Sequence, residues 1–499
     1  MKNKAKTAKQ RELLSRSMMQ GQRRDWLTCI CYRVFSLIVF SVALAILTSC
    51  QAKPLSIRPA LEDEGEIFLY LEPLPQEAER LSFTLEEIAA VKDDGSKIPL
   101  TLSLPEIKLR DVMRQRCFAS GPLPPGTYRG LSVKVRKAAL RTEEGEAALS
   151  VDEEASLLAA PFSITRTKAT ELSLALQYRQ SISGEVRFVP VFSVSVAGRP
   201  LAGVTAFASS RFSNDVALID KQEGRISGMI ATGSGPAGMA IDQLRGRVYV
   251  ALSGDDAVDV IDASVGGTIG RIHLRSGDAP EELALVPGGR TLLAANAGSD
   301  TVSFIDTGSL SEAERVSVGQ DPVSLLIDGS GRRAFVFNKA SSTISVLDIQ
   351  TGAVVATVST EPEPLRGQFN RRGDRLYVLC GRSRYLTVID PQSLNLIRRE
   401  YLGREAGSIK VDTRTDMLYI GWKLDDEVTV YDPLSFQPVD RIPTDGTVTY
   451  MTIDGDENNL YLAIPVRKTV RAVNLVSRKT AFEIDFCANP TYVAVMGER

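Results

Sequence analysis

Short β-branched runs alternate with turn residues through the last three hundred positions of the chain and return at a nearly constant interval. VALID, VDVID, VSFID, ISVLD, LTVID, VTVYD and VRAVN end at Asp220, Asp262, Asp306, Asp348, Asp390, Asp432 and Asn474, in steps of 42, 44, 42, 42, 42 and 42 residues. A second strand precedes each of them: TAFASS, RVYVAL, TLLAAN, RAFVFN, RLYVLC, MLYIGW and NLYLAI. Another strand comes before that one, often announced by proline, as at Pro236, Pro280, Pro322, Pro364 and Pro490. Proline cannot donate to a ladder, so it belongs at a strand's start. Such a clock predicts the blades of a β-propeller, each of which buries its faces only against neighbours.

The two ends of the pattern complement each other. The unit at Thr205 lacks a leading strand, whereas TYVAVM, Thr491 to Met496, is one strand too many. Joined, they complete one blade. The expectation is therefore seven blades, the closing one built from the C-terminal innermost strand and three strands beginning near Thr205, with no open sheet edge.

Upstream, EIFLYLE, LSFTLEEI, IPLTLSL, YRGLSVKVRKAAL, AALSV, PFSITR, ELSLALQY and VRFVPVFSVSV alternate with period two and predict about eight more strands. The fold class is thus all-β, a seven-bladed β-propeller (204–499) with an N-terminal β-sandwich domain (64–196) of immunoglobulin-like or transthyretin-like kind. AGRPLAG, 197–203, reads as the linker between them.

Two resemblances attach to these segments. The order proline, apolar strand, "LYV", loop, "VSVID", "TG", clearest in RAFVFNKASSTISVLDIQTGAVVATV, is similar to the YVTN-type propeller repeat of bacterial and archaeal envelope proteins. GPLPPGTYRGLSVKV, Gly121 to Val135, resembles the "lPaGtY" segment of a β-sandwich family of uncharacterised function that often follows a lipobox, although LEPLP stands where that family carries an aspartate. The propeller resemblance implies the fold strongly and function weakly, because propellers with this repeat bind, scaffold and catalyse.

At the N-terminus nine basic residues precede Val34–Leu47, a run of fourteen that is apolar except for Ser36 and Ser41. That is a signal-peptide core, short for a membrane span. It ends in Leu47, Thr48, Ser49, Cys50, which resembles the bacterial lipobox. The resemblance implies a signal peptide at 1–49, a lipid on Cys50, a tether at 50–63 and, with Gln51 following the cysteine, the outer membrane, on its periplasmic or surface-facing side. Met18 and Met19 are alternative starts, and Arg23-Arg24 resembles a twin-arginine export signal.

Removing residues 1–49 leaves 50 basic against 59 acidic residues, near minus nine, which argues against nucleic acid as a partner. The mature chain keeps Cys117, Cys380 and Cys487, without metal-ligand spacing, and these read as free thiols. One histidine, His273, supports neither a catalytic triad nor a multi-histidine metal set, so no catalytic residue, no metal and no cofactor is expected. The recurrent aspartates read as turn acceptors, and DGDEN (Asp454–Asn458) as a plain hairpin turn.

The candidate binding face is the one formed by the loops after the "LYV" strands and before each innermost strand, where repetition is weakest. Its residues are Arg211, Asp255, Asn296, Asn338, Arg382, Tyr385, Trp422 and Arg467, with Trp422 foremost as the lone tryptophan of the mature chain. The expected function is a lipid-anchored envelope protein that is not an enzyme, whose propeller binds or scaffolds a protein or a cell-surface polymer such as a polysaccharide. The alternative is a propeller enzyme, a lactonase-like hydrolase or a quinone-cofactor oxidoreductase. An enzyme calls for acids, amides or cations around the central channel, which GMAID, ELALV and SLLID supply poorly. Several such side chains converging at the channel mouth would turn the order round.

Overall fold

The computed structural model describes residues 58–143, 145–184, 186–196 and 205–498. Cys50, the signal segment, most of the tether and the linker at 197–203 lie outside them.

Among the described residues, seven four-stranded antiparallel sheets follow one another. In each blade the inner, second, third and outer strands are successive in sequence; blade 3, for example, comprises Pro280–Leu285, Thr291–Asn296, Thr301–Asp306 and Ser311–Ser317. Blade 1 is the composite one. Thr205–Ser210, Asp215–Asp220 and Arg225–Ala231 take Tyr492–Val495 as inner strand, with Ala206 opposite Val495 and Ser209 opposite Tyr492. Alternation along each strand sends one set of side chains toward either neighbouring blade. Between blades 4 and 5, Phe335, Phe337, Val346, Val378 and Ile389 share a core. The ring is a β-propeller.

The aspartates that end the third strands act as expected. Asp262 accepts the backbone N–H groups of Ser264 and Val265, Asp306 those of Gly308 and Ser309, and Asp432 those of Leu434 and Ser435. Asn474 does the same for Val476 and Ser477 with an amide oxygen, so the position requires the acceptor rather than the charge.

The N-terminal part consists of a five-stranded sheet, in which Gly65–Leu71 lies between Ala169–Leu176 and Arg116–Leu123, and a six-stranded sheet built on Leu81–Lys92 and Gly126–Thr142. Ile67, Leu69, Phe118 and Leu174 of the first meet Phe83, Ile88, Leu131 and Val133 of the second in one core. Period-two alternation puts Phe68, Tyr70 and Cys117 on the other face, and there they join Ile226, Met229, Ile484 and Phe486 from the outer strands of blades 1 and 7. Arg114 bridges Glu483 and Asp485, and the Gln115 side-chain oxygen accepts the N–H of Ile226.

Cys117 and Cys487 are disulfide-bonded across this joint, which corrects the expectation of free thiols. Their 370-residue separation hid the pairing: Cys117 sits on the free face of the N-terminal sheet, and Cys487 in the connection between blade 7 and the closing strand. Among the described cysteines Cys380 is the free one; it is buried, and desolvation raises its pKa to about 12, which disfavours the thiolate.

Candidate functional site in the central channel

The third position of each inner strand, counted from the proline or its equivalent, is Gly238, Glu282, Ser324, Arg366, Ser408, Tyr450 and Tyr492. They recur on the same clock as the outer pattern, so the ring brings all seven to one level of the channel. Charges that meet no partner in sequence meet one here. Arg366 of blade 5 reaches across to Glu282 of blade 3 at 2.5 Å. Its guanidinium lies over the Tyr450 ring, 4.6 Å from the centroid. Tyr450 stacks on Tyr492 at 3.7 Å and their hydroxyls bond at 2.8 Å, while Tyr492 also reaches Glu282 Oε1 at 3.4 Å.

Electrostatics fixes the protonation of this layer. Burial depresses the Arg366 guanidinium, but Glu282, Tyr450 and Tyr492 outweigh it, and its pKa ends above the ordinary arginine value. Burial pushes both tyrosine hydroxyls up. Both therefore stay protonated as hydrogen-bond donors at neutral pH. Glu282, only 4% exposed, spends Oε1 on Arg366 and Tyr492, and its Oε2 has no hydrogen-bond partner among the described residues. A buried acceptor left open costs on the order of 1–3 kcal/mol, which a donor on a bound molecule or water would recover. Gly238 completes the level by having no side chain: a Cβ there would stand 2.8 Å from the Glu281 carbonyl oxygen.

Above this layer the channel widens into a cavity of about 780 Å³ whose walls include Leu326, Gln368, Phe369, Lys410 and Val411. It opens through the hairpins that join inner to second strands, at Asp328–Ser330 and Asn370–Gly373. Five cationic residues line it against three acidic ones. Glu282 is matched by Arg366, Asp328 by Arg333 and Glu498 by Lys410, so Arg371 and Arg372 remain at the rim as the excess. The site is a mouth that favours anions over a floor that offers both a fixed cation and an open carboxylate oxygen. Among the described residues no group of three or more His, Cys, Asp or Glu side chains is placed to hold a metal ion.

The expectation that the inner strands supply few charged groups is thus corrected. The cavity opens on the face opposite the one proposed from loop variability. Three of the eight residues named for that face are interior. Asn296, Asn338 and Trp422 occupy one repeat position, the last of the second strand, which also carries Ser210, Leu252, Cys380 and Ile464, and all seven are buried. Asn296 donates to Ser303, Asn338 to Ser345 and Trp422 to Thr429, each partner being the equivalent third-strand hydroxyl. Trp422 thus performs a repeat-wide structural task, with Arg404 over its ring at 4.1 Å.

The other five do lie on that face, in hairpins of blades 1, 2, 5 and 7. Arg211 pairs with Glu281, Asp255 with Arg271 and Arg382 with Glu363. Tyr385 rests against Tyr401, and Arg467 is exposed. His273 is exposed on the outer strand of blade 2, away from the channel. The channel layer was within reach of the sequence. Counting in steps of 42 residues from Arg366 along the inner strands finds Glu282, Tyr450 and Tyr492, a signal masked by the apolar residues around them.

No protein-family model matches the chain, and no curated protein matches it in sequence. Solved structures do match in shape. A functionally unknown protein from Desulfotomaculum acetoxidans DSM 771 superposes with a TM-score of 0.52 at 12% identity, over 58% of this chain and 98% of that one. Kuenenia stuttgartiensis hydrazine synthase gives 0.49 at 20% identity over 55% and 93% of the two chains. Dihydro-heme d1 dehydrogenase NirN, in complex with DHE, gives 0.48 at 13% identity over 61% and 78%. Likeness at this level shows the fold alone. The expectation that this chain is not an enzyme does not stand, since it rested on inner strands poor in charged groups, and the channel floor brings Glu282 and Arg366 together with a Glu282 oxygen left open.

Proposed function

We propose that the chain is a lipid-anchored envelope protein of the outer membrane whose propeller admits part of a protein or cell-surface polymer into its channel. The observation that carries this reading is the layer of Glu282, Arg366, Tyr450 and Tyr492 at the floor of a 780 Å³ cavity with arginines at its rim. Pockets of this size with a few converging polar groups are where folds of this kind take ligands. The Cys117–Cys487 disulfide supports an exported chain, since such bonds persist in oxidising compartments.

Filling the cavity tests the reading. Gln368→Trp, on the channel wall, should abolish capture of ligand from envelope extracts while leaving the melting temperature within a few degrees of wild type. Undiminished capture would place binding elsewhere. Separately, Cys50→Ser should leave an unlipidated precursor that no longer partitions with membranes, and sedimentation like wild type would remove the anchor.

A second reading is favoured by the same convergence of charges: a hydrolase using the open Glu282 oxygen as general base. The convergence of charges was set as the sign of an enzyme and counts toward this reading, but binding is placed first because Arg366 is committed to an ion pair and both tyrosines are held protonated, so those three groups hold rather than exchange protons. Glu282→Gln separates the two readings, since a binder keeps ligand and an enzyme loses turnover with ligand still bound.

A further inference from the structure

The chain enters the described structure on the face opposite the channel mouth. The N–H of Arg58 donates to the Phe212 carbonyl at 3.4 Å, and its own carbonyl accepts from the side chains of Asn214 and Ser234. Phe212 and Asn214 lie in the hairpin between the second and third strands of blade 1, and Ser234 in the connection to blade 2. The Arg58 guanidinium is fixed as well, on Glu66 at 2.7 Å. Seven residues lie between Cys50 and Arg58, so the span between the two is no more than about 29 Å even when fully extended.

That same face carries an arc of exposed apolar and aromatic side chains over blades 5 to 7. Tyr385 and Tyr401 stand together with ring centroids 5.2 Å apart, Leu424 is 92% exposed and Val466 is 68% exposed. Arg384, Arg467 and Lys468 are exposed beside them. Most nearby carboxylates are engaged, Glu363 with Arg382, Glu405 with Lys423 and Asp425 with Arg404, while Asp426 is exposed in the same hairpin as Leu424. Aliphatic tips, tyrosines and unpaired cations together suit the headgroup level of an anionic bilayer. Exposed apolar tips also occur on the opposite face, at Leu244 and Leu434, so it is the entry of the chain that selects between the two.

We propose that the second-to-third-strand hairpins of blades 5 to 7 rest on an anionic membrane surface, with Leu424 and Val466 at the lipid and the channel mouth turned away from it. This inference rests on lipidation of Cys50. It makes the cavity accessible to ligands from the aqueous compartment and leaves the arginine rim free of headgroup phosphates.

The test uses the full-length lipidated protein in vesicles of phosphatidylcholine and phosphatidylglycerol with brominated acyl chains. Leu424→Trp and Leu244→Trp place a fluorophore at an exposed tip of either face, against the constant background of buried Trp422. Leu424→Trp emission should be quenched at least twofold more than that of Leu244→Trp, and Leu424→Asp combined with Val466→Asp should keep the wild-type melting temperature. Equal quenching, stronger quenching of Leu244→Trp, or none from either in protein that sediments with the vesicles would overturn the orientation while the anchor stands. Protein that stays in the supernatant would remove the anchor and the orientation with it.

Discussion

Trp422 shows how a residue's surroundings reverse a reading made from its type. A lone tryptophan beside a loop suggests a ligand platform, but this one is 1% exposed, packed with Tyr377, Leu379 and Leu386, and hydrogen-bonded to Thr429. Trp422→Ala should therefore cost about 3–5 kcal/mol of stability, measured by urea unfolding. Asp215, at the start of the third strand of blade 1, makes a different kind of residue-scale prediction. Burial dominates its environment, partly offset by Ser213, while Glu66 raises and Arg58 lowers its pKa, which ends at about 7 against the usual 3.8. Between those values the folded protein holds a proton that the unfolded chain has released, so stability falls as pH rises from about 4 to 7. The loss is on the order of 4 kcal/mol. Asp215→Asn should flatten the difference in unfolding free energy between pH 5 and pH 8; an unchanged slope would mean that another group titrates.

At the scale of elements, ring closure is held by more than one ladder. Lys221, in the turn after the third strand of blade 1, pairs with Asp454 of blade 7 at 2.6 Å and donates to the Met496 carbonyl at 2.7 Å, both side chains wholly buried. One ammonium thus ties the end of the closing strand to the rest of blade 1 and to blade 7. Lys221→Met leaves the Asp454 carboxylate buried and uncompensated and should cost about 3–5 kcal/mol, whereas Lys221→Met with Asp454→Leu should recover much of that. Thermal unfolding of the single and double variants checks it. The strands, their order and the composite blade were legible because each depends on a local alternation repeated seven times. DGDEN was legible as a turn but not as a clasp, since the partner of Asp454 lies 233 residues away. The channel layer was present in the sequence as a 42-residue series, yet its meaning depends on Arg366 and Glu282 facing each other across a ring, which no single strand reveals.

For the molecule as a whole, the N-terminal part and the propeller behave as one body. A shared core, the Arg114 bridges and the Cys117–Cys487 disulfide lock the N-terminal sheet onto blades 7 and 1. Reduction, or Cys487→Ser, should lower stability by about 2–5 kcal/mol without separating the two parts, because the apolar and ionic contacts persist. Calorimetry should still record a single transition; two resolved transitions after reduction would show that the disulfide alone couples them. The position of the closing strand also sets a timetable. Tyr492–Val495 follows every other strand of the propeller, and Cys487 comes only shortly before it. A chain made from its N-terminus onward therefore carries Thr205–Ser210 as an unmatched inner edge, and Cys117 as an unmatched thiol, until Cys487 and Tyr492–Val495 have followed. Throughout that interval the propeller is open to mispairing, and that is when a chaperone or a thiol oxidase would matter most to its yield.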